Sequence, residues 1–186
     1  MKITSFIVLF LLIGISASYS KAAAQEIGDW QIYSSYSTIN SLDVSETGTV
    51  YSATLGGLLE IQAQKVSRYN VIDGMSRLNA RVVQYDRVNQ QLFLGYSSGV
   101  IDVFDPVNKT FISYADIARV SQFPSRQIND LKLINNELYV ATDFGIVVFD
   151  PSTYFVSNSY LQLGSIARGT NIFALDFGQD SIFAAT

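Results

Sequence analysis

The sequence predicts an all-β fold, a β-propeller fragment of about three and a half four-stranded blades of ~44 residues. Three observations carry that prediction. A phrase returns four times: an apolar strand, a polar turn, and an apolar-aromatic strand ending in a small residue and usually threonine. The copies read Ile39-Asn-Ser-Leu…Val50-Tyr-Ser-Ala-Thr54, Val82-Val-Gln-Tyr…Leu92-Phe-Leu-Gly-Tyr96, Ile128-Asn-Asp-Leu…Leu138-Tyr-Val-Ala-Thr142 and Ile172-Phe-Ala-Leu…Ile182-Phe-Ala-Ala-Thr186. Their last residues fall at 54, 96, 142 and 186, giving spacings of 42, 46 and 44. The second strand of each copy is apolar on both faces, with Val50, Leu92, Leu138 and Ile182 followed by Tyr51, Phe93, Tyr139 and Phe183. Such a strand must be covered from both sides, as neighbouring blades would do. Finally, the first three copies continue into a glycine turn and a third apolar strand, the rest of a four-stranded blade.

The elements follow in order. Residues 1–24 read as a secretory signal peptide: Lys2, a 13-residue, largely apolar stretch from Ile3 to Ile15, and Ala22-Ala23-Ala24 before Gln25. Thirteen residues are short of the roughly 20 that a spanning helix needs, so the leader is expected to be cleaved rather than to anchor. Without cysteine the chain cannot be lipidated there. Residues 25–38 hold a lone strand, Asp29-Trp-Gln-Ile-Tyr-Ser-Ser-Tyr36, expected to close the ring as the outer strand of the last blade.

Blades are then expected at 39–81, 82–127 and 128–171, with a truncated fourth at 172–186. First strands show apolar anchors at i, i+3 and i+5: Ile39/Leu42/Val44, Ile128/Leu131/Leu133 and Ile172/Leu175/Phe177. The second copy offers Val82 and Tyr85 but places Arg87 third. Ala53, Gly95, Ala141 and Ala185 share one register, where adjacent elements come close. Three-residue turns follow at Leu55-Gly56-Gly57, Ser97-Ser98-Gly99 and Asp143-Phe144-Gly145, each ending in a glycine suited to positive φ. Third strands span Leu58–Ile61, Val100–Phe104 and Ile146–Phe149, two of them closed by Asp105-Pro106 and Asp150-Pro151. The outer strands Lys65–Asn70, Thr110–Tyr114 and Tyr154–Tyr160 are more polar, as edges should be. Long connections span 71–81, 115–127 and 161–170, with one helical turn expected at Asp116–Val120. An isolated 25–186 is expected to aggregate or stay partly molten, because the fourth blade would lack its outer strands.

The stretch Leu138-Tyr-Val-Ala-Thr-Asp-Phe-Gly-Ile-Val-Val-Phe-Asp-Pro151 resembles the propeller repeat of hybrid two-component sensors. Val71-Ile-Asp-Gly-Met-Ser-Arg-Leu-Asn79 resembles that repeat's inter-blade Asp-Gly-Leu-Ser loop. A leader, then Ile27-Gly-Asp-Trp30 with Tyr33 and Tyr36, then these blades, is similar to the start of the PorZ family. The resemblance covers residues 25–186 and implies a cell-surface component of the type IX secretion system of Bacteroidetes. It implies partners among other secretion or attachment-complex proteins.

The chain has no histidine and no cysteine, which removes Ser-His-Asp and Cys-His nucleophiles, histidine acid–base chemistry and ordinary zinc sites. No cofactor and no metal site are expected. Asp102/Asp105 and Asp176/Asp180 are the closest acid pairs and read as strand-end and turn carboxylates facing water. Asp143-Phe144-Gly145 spells the kinase metal triplet but aligns with a hairpin turn, and the chain has no His-Arg-Asp loop. After leader cleavage 10 basic and 16 acidic residues give a net charge of −6, which argues against nucleic-acid or anionic-lipid surfaces. The cleaved chain is not expected to be an integral membrane protein.

Binding signals remain. Trp30, Tyr33, Tyr36, Tyr69, Tyr114, Phe123 and Tyr160 lie on outer strands or long loops, where they could meet sugars or proteins or simply pack across strands. Arg77, Arg81, Arg119, Arg126 and Arg168 fall in or beside the three long connections. With Phe123 they form the candidate binding set for a surface glycan or an acidic protein partner, the alternative being loop solubility. The expected function is a non-enzymatic scaffold. The alternative is the periplasmic, glycan-sensing propeller of a hybrid sensor kinase. A glycan-cleaving propeller is the third reading.

Overall fold

A computed structural model describes residues 32–178 and 181–186. The expected signal peptide, residues 29–31 of the lone strand with Trp30 among them, and Asp180 lie outside the described residues. Among the described residues there are fourteen strands in four antiparallel sheets. The first sheet holds β1 (Ile39–Val44), β2 (Val50–Thr54), β3 (Gly57–Gln62) and β4 (Lys65–Tyr69). The second holds β5 (Val82–Asp86), β6 (Gln91–Gly95), β7 (Ile101–Asp105) and β8 (Thr110–Tyr114). The third holds β9 (Ile128–Ile134), β10 (Glu137–Thr142), β11 (Gly145–Phe149) and β12 (Val156–Tyr160). β13 (Ala174–Phe177) and β14 (Ile182–Ala185) form the last pair. Strands neighbour one another in sequence order, the meander of a propeller blade.

The two-sided hydrophobicity of the second strands explains the stacking. Side chains alternate across a strand, so Leu92 and Leu94 of β6 pack toward the first sheet with Tyr51, Leu58 and Phe104. Phe93, one residue out of phase, packs toward the third sheet with Ile128, Leu138 and Val140. Ala141 and Ile146 meet Ile172 and Leu175 at the next junction. Each fully buried leucine or phenylalanine contributes about 1.5–3 kcal/mol, so the inter-sheet cores hold the array together. β4, β8 and β12, at the outer edges, are largely exposed.

Register corrects the reading of the second copy. Ser41 pairs with Ala53, Asp130 with Ala141 and Val82 with Gly95, so these three positions are equivalent. The second copy's anchors at i, i+3 and i+5 are therefore Ala80, Val83 and Tyr85, all buried, and Arg87 is no departure from the pattern. The short Ala80 concealed the anchor beside the conspicuous Val82. Turn lengths also differ from the expectation. Thr54 pairs with Gly57 and Thr142 with Gly145, leaving two-residue turns in the first and third sheets. The three-residue turn is found only at Ser97–Gly99, where Tyr96 N–H donates to Val100 O at 3.2 Å. Gly57 and Gly145 have φ of +135° and +137°, which a side chain resists, and a Cβ would press on the carbonyls of Tyr69 and Tyr160.

The single helical turn expected at Asp116–Val120 is present as an isolated turn, its Arg119 N–H donating to Ala115 O at 3.0 Å, an i→i−4 bond that is not continued into a helix. A second, unexpected one is a 3₁₀ turn at Val71–Asp73, with the Asn70 side chain capping Ile72 N–H and Asp73 capping Asn70 N–H. One further expectation changes. The described part of the lone strand, Ile32–Tyr36, pairs in no sheet. It crosses the first sheet's turn, where Ser34 donates to Gly56 O at 3.2 Å and Ser35 O occupies the space a Cβ on Gly56 would need.

The inter-sheet cores carry buried phenols. Tyr51 stacks on Tyr85, with ring centroids 5.7 Å apart. Burial, then the nearby Glu60 carboxylate, pushes the Tyr51 hydroxyl up to about 12. Burial likewise raises Tyr69, Tyr85, Tyr96 and Tyr114. A raised folded-state value gives stability that is intact below the unfolded phenol's ~10 and lost as pH rises through the folded value. Unfolding is therefore expected to begin between pH ~10 and ~12, with tyrosinate absorbance at 295 nm rising together with the loss of β-sheet circular dichroism. Tyrosinate formation in a chain that keeps its β signal would contradict this packing.

Candidate functional surface

Strand alternation sorts the connections between the two ends of the stack. Connections 70–81, 115–127 and 161–173, together with turns 55–56, 97–99 and 143–144, all lie at the end where first strands begin and second strands finish. That end holds Arg77, Arg81, Arg119, Arg126 and Arg168 against Asp73, Asp116 and Asp143, with no lysine or glutamate. Turns 45–49, 86–90, 105–109 and 150–155 at the other end carry Glu46, Asp86, Asp105 and Asp150 against Arg87 and Lys109. An acidic chain thus presents one locally basic face.

The acids of the basic face are already committed. Asp73 caps the 3₁₀ turn, and Asp116 pairs with Arg119 at 3.3 Å. Asp143 accepts from the Ser125 hydroxyl and from Asn129 Nδ2 at 2.8 Å. Arg126 is half-buried, its Nε donating to Val120 O at 2.6 Å and its Cβ lying against Gly99. Arg77, Arg81 and Arg168 are exposed, and their guanidinium groups have no hydrogen bond or ion pair among the described residues; Arg81 is tied to the sheet only by its backbone N–H, which donates to Gly95 O at 2.9 Å. These three, one or two on each of the first and third connections, are the guanidinium groups open to a partner. Phe123 is half-buried and stacks on Phe144 at 4.7 Å with an interplanar angle of 4°, so it braces the third connection of the face rather than offering a free ring.

Other aromatic candidates resolve into packing. Tyr69 meets Phe104 at 4.9 Å and donates to Glu60 at 2.6 Å, while Tyr114 stacks on Tyr154 at 4.8 Å. Tyr33 is 92% exposed, and Tyr160 is on the exposed outer strand β12.

A polar seam beneath the basic face escaped the sequence reading. Asn40 Nδ2 donates to Ala80 O at 2.7 Å and to Asn79 Oδ1 at 3.2 Å. Asn129 Nδ2 makes the equivalent pair, to Ile172 O at 3.0 Å and Asn171 Oδ1 at 2.9 Å. Ser41 Oγ accepts from Val83 N–H at 3.3 Å, and Asp130 Oδ2 from Leu175 N–H at 2.9 Å. These bonds satisfy edge N–H and C=O groups of one first strand with side chains of the preceding one. The signal in the sequence was the repeated Ile-Asn at 39–40 and 128–129 matched by an Asn at 79 and 171. At the junction between the second and third sheets Val82 and Ile128 make an apolar contact instead.

The paired-carboxylate reading also changes. Asp102 does not face water: it is fully buried and accepts from Tyr96 Oη at 2.7 Å, Ser76 N–H at 2.8 Å and Ser113 Oγ at 2.6 Å. Asp105, three residues on, points to the opposite side of β7 and caps its own turn, so the two form no acid–base pair. Asp176 Oδ1 caps Phe177 N–H at 2.9 Å. Among the described residues no group of three or more acids could hold a metal ion, and no helix is long and apolar enough to cross a membrane.

Comparison with known proteins follows this architecture. PorZ of Porphyromonas gingivalis, described as an essential bacterial surface component of the type IX secretion system, superposes with a TM-score of 0.66 at 18% identity, covering 79% of this chain and 19% of that one. The extracellular domain described as belonging to a hybrid two-component system of B. thetaiotaomicron gives 0.62 at 14% identity, covering 80% and 19%. Hydrazine synthase of Kuenenia stuttgartiensis gives 0.61 at 16%, covering 86% and 45%. At these identities the likeness establishes the propeller fold alone. The chain spans about a fifth of the length of the first two structures. No curated protein sequence matches it. The profile described as "TSS9, PorZ, N-terminal beta-propeller domain" matches residues 50–186. The chain belongs to the PorZ N-terminal β-propeller family.

Proposed function

We propose that this chain is an exported, non-enzymatic propeller that serves type IX protein secretion at the cell surface, holding other proteins of the secretion or attachment complex, or a surface glycan, on its arginine-bearing face. The observation that carries the reading is the coincidence of a PorZ-family propeller with one end where Arg77, Arg81 and Arg168 are exposed and unpaired while every nearby acid is committed. Guanidinium groups are suited to acidic side chains and other anionic groups, and they remain charged at any physiological pH. Deleting the encoding gene in its own organism is expected to make type IX cargo proteins accumulate in the periplasm and disappear from the surface. Normal surface display of cargo in the deletion strain would refute the assignment.

The second reading is a ligand-sensing propeller, favoured by the structural likeness to the extracellular domain of the hybrid two-component system. It predicts the opposite pattern in the same strain: intact cargo display and a lost transcriptional response to an external glycan.

A further inference from the structure

We propose that the end opposite the arginines carries a second docking site, a cleft on the second sheet that takes an extended, uncharged peptide segment of a partner protein through side-chain amides. The cleft, of about 390 Å³, is framed by two turns of the same design, Asp86-Arg-Val-Asn89 and Asp105-Pro-Val-Asn108. In the first turn Asp86 Oδ1 accepts from Val88 and Asn89 N–H at 2.9 and 3.1 Å, and Oδ2 from Asn89 Nδ2 at 2.7 Å. Asp105 repeats this with Val107, Asn108 and Asn108 Nδ2 at 2.7, 3.1 and 2.6 Å. Both turns are thereby rigid, and both carboxylates are spent inside them. Asp105 keeps its negative charge at the wall of the cleft, which disfavours an acidic segment, while its oxygens are engaged by its own turn.

What the cleft does offer is a set of uncommitted amide and hydroxyl groups. The Gln90 amide, the Oδ1 atoms of Asn89 and Asn108 and the Thr110 hydroxyl line the cleft and make no hydrogen bond among the described residues. Together they donate and accept, as the N–H and C=O groups of a peptide require. Val107 and Ile112, 78% and 55% exposed, give the rim apolar contacts for alternate side chains of an extended segment. β8, which supplies Thr110 and Ile112, is an edge strand without charge, whereas β4 guards its edge with Lys65 and Arg68. A sugar is the poorer fit. Tyr154, the one aromatic lining residue, has its ring stacked on Tyr114 and its hydroxyl bonded to Gln91 Oε1 at 2.9 Å.

The test is fluorescence anisotropy of a fluorescein-labelled, amidated Thr-Val-Ser-Val-Thr-Val peptide titrated with the full chain. Saturable binding is expected, without displacement by the neutral oligosaccharide maltohexaose. Gln90→Gly suits the left-handed backbone there (φ +53°), and Ile112→Lys changes an exposed side chain, so both variants keep the fold. Each is expected to weaken the peptide at least about fivefold, while Arg168→Ala at the opposite end leaves it unchanged. No saturable binding, unaltered affinity in both cleft variants, or displacement by maltohexaose would overturn the proposal.

Discussion

Replacing Asp102 by alanine is expected to destabilise the chain by about 3–5 kcal/mol, one of the largest single-residue effects in the molecule. The carboxylate is fully buried in β7 and satisfies three donors from three places: Tyr96 at the end of β6, Ser113 on β8 and Ser76 N–H in the first long connection. Alanine would leave the buried Tyr96 hydroxyl without its acceptor, release Ser113 and the Ser76 N–H from the sheet, and open a small cavity. Asparagine keeps the shape and one acceptor oxygen, so its cost should be smaller, about 1–3 kcal/mol. Urea denaturation of the two variants beside the parent, each made as the whole protein, measures both. Equal midpoints for all three proteins would show that Asp102 does not tie the connection to the sheet.

Gly95→Val is expected to cost about 3 kcal/mol for the reverse reason, overpacking. A Cβ at Gly95 would lie 2.5 Å from Ile128 Cγ2 and 2.8 Å from Val82 Cγ1, so the second and third sheets would be forced apart at their apolar junction. Trimming the facing residue should recover part of the loss: Gly95→Val with Ile128→Ala is expected to be more stable than the sum of the single changes. Strict additivity of the two would mean that the side chains do not meet.

Where a physical rule was repeated along the chain, the sequence disclosed the structure. The unbroken apolar run of the second strands identified Leu92, Phe93 and Leu94 as covered from both sides, and the structure buries all three. The small residue that closes each second strand marked the close approach that Gly95 makes to Ile128. The threonines themselves proved to be turn caps: Thr54 Oγ1 donates to Gly57 O and Thr142 Oγ1 to Gly145 O, at 2.9 and 2.8 Å. Residues whose role depends on a distant partner could not be read. Asp102 looks like any strand carboxylate until Ser76, 26 residues earlier, folds over it. Ala80 is too small to announce itself as an anchor, and the surface aromatics Tyr69 and Tyr114 needed the neighbouring sheet to explain them. The arginines were legible as a loop-borne set. Their separation into paired Arg119, anchored Arg126 and free Arg77, Arg81 and Arg168 depends on where each loop settles.

That separation makes the functional claim testable at the level of side chains. In the producing organism, Arg77, Arg81 and Arg168 would be changed together to glutamate, and surface display of a type IX cargo protein would be compared with a strain carrying Glu46→Arg and Arg87→Glu at the opposite end. All five residues are exposed, so each variant protein should be present at the parental level. The account predicts loss of cargo from the surface in the triple variant and normal display in the opposite-end variant. Normal display with the three arginines reversed would contradict it.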